Sequence, residues 1–111
     1  MKVKNGKIVN FLNNAGKIMQ KKIPNRLCFA VDVNIGALQA AGVAYNKRYE
    51  EIVKEKDAEK RTSELEELLN IQVEVTIQTV PMELLEQMDE SLKFDALTGE
   101  EYAAIQFMIE R

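Results

Sequence analysis

The sequence predicts a mostly helical α+β fold. It combines a long helix in an αα-hairpin, one amphipathic strand in a small sheet, and short C-terminal helices. Three observations predict it. Apolar residues recur at helical spacing over residues 7–20. A stretch whose second half is rich in Ala, Glu and Lys runs from 25 to about 57. Strict apolar–polar alternation marks residues 71–80. At 111 residues, a single domain (1–111) is expected. That length buries enough surface to fold without disulfide or metal staples.

The elements follow in order. Residues 2–4 read as a very short strand. Asn5 is the expected N-cap of the first helix. In that helix Ile8, Phe11, Leu12, Ala15, Ile18 and Met19 form the apolar stripe. Pro24 closes it and opens the next element. In the next stretch Leu27, Val31, Leu38, Ala41, Tyr45 and Ile52 keep a heptad-like register, which favours one long helix. The alternation of Leu27, Phe29, Val31 and Val33 leaves a strand at 27–33 as the alternative. Gly36 and Gly42 inside a helix either kink it or let a neighbouring backbone come close. The charged run 54–61 reads as a solvated helix–helix turn. A helix over 59–69 then turns Leu65, Leu68 and Leu69 inward.

The strand at 71–80 carries Ile71, Val73, Val75 and Ile77 on one face. It needs a partner, and the internal candidates are short. That shortage points to pairing with a second copy, with Val73, Val75 and Ile77 as candidate interface residues if they are not core. Pro81 fits the first position of a short helix with Leu84, Leu85 and Met88 inward. Residues 89–96 form a polar connection. Thr98 and Glu101 form a capping box for a last helix, with Tyr102, Ile105, Met108 and Ile109 along one stripe and Phe107 widening it.

Charge is divided along the chain. Lys2, Lys4, Lys7, Lys17, Lys21, Lys22 and Arg26 precede the first acid, Asp32. All 18 acidic residues follow, and the whole carries a net charge of −3. Such asymmetry marks a nucleic-acid or membrane contact, or an internal fit between the two parts. Lys17, Lys21, Lys22 and Arg26 are the candidate basic contact face. Overall acidity, with only Phe11 and Phe29 nearby for base stacking, counts against a nucleic-acid partner.

The chemistry-bearing residues are sparse. The sequence has no histidine, which removes Ser-His and Cys-His pairs and most zinc sites. Neither serine lies in a nucleophile-elbow motif, and no phosphate-binding glycine loop is present. Glu64, Glu66 and Glu67 do not share a helix face, so they read as solvated surface. Cys28, flanked by Leu27 and Phe29, reads as an inert cysteine in a reducing compartment. No enzyme, cofactor or metal is expected. Neither a signal-peptide pattern nor an apolar run long enough for a membrane span is read from the sequence.

Three segments carry a resemblance. LLNIQVEVTIQTVPMELLEQM (residues 68–88) runs from a Leu-rich helix into an alternating strand that ends in Val-Pro. LTGEEYAAIQFMIER (residues 97–111) is a Leu-Thr capped helix. Together with the Pro-led KKIPNRLCFAVDVNI (residues 21–35), they resemble a family of small uncharacterised proteins from tailed phages and prophages of Gram-positive bacteria. Here Asp32 stands where that family commonly has a basic residue. Gly36 and Gly42 interrupt a region that is usually richer in Lys and Glu. The resemblance implies a phage context, in the host cytoplasm or the virion, and a helical 25–57. It implies no catalytic residues.

The expected function is therefore non-enzymatic, through protein–protein contacts, as a virion accessory or assembly component. One alternative is an inhibitor of a host enzyme or defence complex, using the acidic stretches 50–67 and 83–95. The other is nucleic-acid contact through the basic N-terminal helix.

Overall fold

The computed structural model of the chain describes residues 1–110. Strand β1 (Lys2–Lys4) leads directly into helix α1 (Asn5–Met19), and helix α2 (Asn25–Ile52) follows after a short connection. Helix α3 (Ala58–Asn70) turns back and runs into strand β2 (Gln72–Glu74). Strand β3 (Val80–Pro81), helix α4 (Met82–Glu90) and helix α5 (Gly99–Ile105) come next. A 3-10 turn (Gln106–Met108) and strand β4 (Ile109–Glu110) complete the described chain. The mostly helical α+β class is as the periodicities predict.

Helix α1 is the hub. Its Ile8, Phe11, Ala15 and Ile18 are buried, and it packs against α2, α3 and α5. The long α2 contributes Leu27, Ala30, Val31 and Leu38 to the same core. Met88, Ile105 and Met108 close it from the C-terminal half, where the Phe107 ring meets Phe11 edge-on at 5.4 Å. The 28 residues of α2 rise about 42 Å, most of the 51 Å long axis of the molecule.

Residues 27–33 are helical, which settles the ambiguity at the start of α2. The helix stops at Ile52, five residues short of the expected end. Ile52 is its last buried anchor, and the charged residues beyond it have no apolar face to bury. Asp57 then caps α3, its Oδ1 accepting from the backbone N–H of Glu59 (3.0 Å) and Lys60 (3.3 Å). Within α3, Leu68 is buried and Leu65 half-buried. Leu69 is turned to the edge, over Gly6.

The two glycines of α2 have different surroundings. A Cβ on Gly42 would come within 2.7 Å of Leu12 Cδ1, so this glycine leaves room for the end of the Leu12 side chain. A Cβ on Gly36 would meet nothing within 4 Å.

Asn5 is not an N-cap. It lies inside α1, with its Nδ2 donating to the Leu68 carbonyl and its backbone N–H to that of Ile71. It thereby serves the C-terminal end of α3, whose last carbonyls lack helical partners.

The expected strand at 71–80 is two short strands joined by an extended segment. β2 pairs antiparallel with β1, placing Val3 opposite Val73 and Lys2 opposite Glu74. β3 pairs in parallel with β4. Both partners are too short to hold ten residues. Between them, Val75 N–H donates to the Met1 carbonyl, and Gln78 is held by a side chain of α2. The alternation survives, with Val73, Val75 and Ile77 half-buried against the core and Gln72, Glu74, Thr76 and Gln78 exposed. An internal partner therefore exists, and the sheets close within one chain.

The last helix is also shorter than its stripe suggests. It ends at Ile105, and the chain tightens into a 3-10 turn that buries Met108 and delivers Ile109 to Val80. Pro81 stands just before the first turn of α4, not within it.

A candidate interaction surface

The candidate interface residues Val73, Val75 and Ile77 face inward. Their side chains are part of the fold, so only the backbone edge of β2 is left for another chain.

The candidate basic face is divided by its own contacts. Lys21 Nζ reaches Glu101 Oε1 at 2.5 Å and the Ala96 carbonyl at 2.8 Å. The backbone N–H of Lys22 donates to Asp95 Oδ2, while Asp95 N–H donates to the Lys22 carbonyl. Lys17, Lys22 and Arg26 stay exposed, but Lys21 is drawn against a carboxylate. Glu101 is nearly buried and also completes the capping box, accepting from Thr98 N–H at 2.9 Å. The Lys21 ammonium first, and the Thr98 N–H second, hold the Glu101 carboxyl below the usual glutamate range. This cluster fastens the α1–α2 connection to the start of α5.

A different surface stands out on α2. Its inward side carries Leu27, Val31, Asn34 and Leu38. Its outward side is also apolar: Phe29 is 64% exposed, Val33 39% and Val43 56%, with exposed Gly36 and Ala40 between them. Arg26 precedes this stripe, and Lys47 and Glu50 follow it, all exposed. The eight positions 26, 29, 33, 36, 40, 43, 47 and 50 keep alternating spacings of three and four. That is the spacing of a coiled-coil seam. Single exposed apolar residues are ordinary on a protein surface, but a continuous stripe along one helix marks a contact.

Helix α2 is apolar along most of its length and only partly buried. By length and composition the helix could cross a membrane, whereas the expectation was that no run is apolar enough. The expectation missed it because two apolar faces, one inward and one outward, add up along a single helix.

The outward face has a sequence signal that the inward register masks. Leu27, Val31 and Leu38 account for the helix, and Phe29, Val33 and Val43 then look incidental. Sequence reasoning also missed Asn34, a polar residue with no exposed surface, because its partner lies 44 positions away. Among the described residues, no group of three or more Cys, Asp or Glu side chains is placed to hold a metal ion. No family model, curated protein or solved structure matches the chain.

Proposed function

We propose that the chain is a non-enzymatic protein acting through protein–protein contacts, as a virion accessory or assembly component of a tailed phage or prophage. The observation that supports it is the outward face of α2. A folded chain gains nothing by holding Phe29, Val33 and Val43 in water along one seam. Covering that face with another protein removes the cost. The phage setting rests on the resemblance of residues 21–35, 68–88 and 97–111 described above.

The test is a photo-reactive residue at position 33 in the full chain, expressed in cells carrying the phage. Position 62 on α3, exposed and away from the seam, serves as the control. The expected result is a covalent protein adduct from position 33 and none from position 62. Equal labelling, or no adduct at either position, removes the reading. Mass spectrometry of purified virions then separates an accessory, found at fixed stoichiometry, from an assembly component that is left behind.

A further inference from the structure

We infer that the outward face of α2 is a homodimer seam, on which a second copy of this chain lays its own α2 antiparallel. The inference rests on the protein-contact reading above and names the partner. It is carried by the order of residues along the seam. Reversing the seam about its midpoint exchanges Arg26 with Glu50, Phe29 with Lys47, Val33 with Val43, and Gly36 with Ala40. A two-fold contact requires this kind of self-complementarity, in which one patch serves both subunits.

Charge fixes the direction. Within the chain, Arg26, Asp32, Lys47 and Glu50 make no ion pair among the described residues. Antiparallel packing sets Arg26 against the partner's Glu50 at both ends of the seam. It lays Lys47 over the face of the partner's Phe29, with the partner's Asp32 one turn away. A cation over an aromatic ring beside a carboxylate is a favourable site. Parallel packing would instead set Arg26 against Arg26 and Glu50 against Glu50.

The middle of the seam is small. Gly36 costs helix stability, and nothing in its own chain occupies the space a Cβ would fill. Opposite the partner's Ala40, it allows the two axes to come to the short end of the 8–10 Å range of packed helices. The three-and-four spacing suits the shallow left-handed crossing of such pairs. A lipid surface fits less well. The apolar part of the seam, from Phe29 to Val43, rises only about 21 Å and carries Asp32 on its flank.

The experiment uses the full chain. Sedimentation velocity across a concentration series should show a species of twice 12.7 kDa. In a Cys28→Ser background, Val33→Cys with Val43→Cys should form disulfide-linked dimers on mild oxidation, and Val33→Cys alone should not. Gly36→Leu should keep its circular dichroism spectrum and weaken dimerisation at least about tenfold. Arg26→Glu should weaken it about fivefold, and adding Glu50→Arg should restore it.

Efficient cross-linking of Val33→Cys alone overturns the antiparallel seam. So does a dimer indifferent to Gly36→Leu, or a monomer that sediments with anionic phospholipid vesicles. A strict monomer whose position-33 probe captures a different protein also overturns the second copy. That last result leaves the protein-contact reading standing, so the two failures are distinguishable.

Discussion

Asn34 sits about a third of the way along α2 with no exposed surface, and its amide does for residue 78 what a neighbouring strand would do. Its Oδ1 accepts from Gln78 N–H at 2.7 Å, and its Nδ2 donates to the Gln78 carbonyl at 2.9 Å. A buried amide with only one of these bonds would be costly, whereas with both it holds an extended segment onto a helix. Asn34→Ala should destabilise the fold by about 1–3 kcal/mol in urea unfolding. Amide exchange at Gln78 should accelerate at the same time. The glycines of α2 separate in the same way. Gly42→Leu forces a side chain into the space held by Leu12 and should cost about 1–3 kcal/mol. Gly36→Ala, which meets nothing in its own chain, should stabilise the monomer by up to about 1 kcal/mol. Thermal melts of the two variants should therefore shift in opposite directions.

The start of α5 is more legible than the ends of α2 and α5. Thr98 and Glu101 announce α5 three residues apart, and both halves of their capping box form. The ends depend on where burial stops, as at Ile52, or on what the next residues must reach, as at Ile105. The alternation of Val73, Val75 and Ile77 was readable. The break between β2 and β3 was not, because it is set by the short reach of β1 and β4 and by the distant Asn34. For the interaction surface, the spacing from Arg26 to Glu50 was in the sequence, but only the fold shows which of two apolar registers is left uncovered. The Glu101 contact also has a pH consequence. Its carboxyl is held below its ordinary range in the folded chain and not in the unfolded chain. The ionised form therefore stabilises the fold above that range, and the contribution is lost as pH falls through it toward the folded value. Glu101→Gln should flatten the acid limb of a stability–pH profile while leaving a lower plateau at neutral pH.

Across the whole molecule, the division of charge resolves in part into internal fit. Lys21 meets Glu101, but Glu74, opposite Lys2 in the β1–β2 register, pairs with the Met1 ammonium at 2.9 Å. The remaining early cations are exposed and distributed over β1, α1, the α1–α2 connection and the start of α2, so no single element carries them. Both small sheets join distant parts of the chain, and α1 touches nearly every other helix. Phe11→Ala, at the centre of this arrangement, should cost about 3–5 kcal/mol and loosen all the helices together. One transition by both circular dichroism and tyrosine fluorescence would show that cooperativity.

The central place of α1 also sets the order in which the fold can be completed during synthesis. The ribosome delivers α1 well before α5 and β4, so Phe11 waits for Phe107 while nearly a hundred residues are made. A nascent chain stalled before residue 99 would carry a bare greasy helix, open to proteases and attractive to chaperones. One stalled with residue 110 clear of the exit tunnel should resist the same protease.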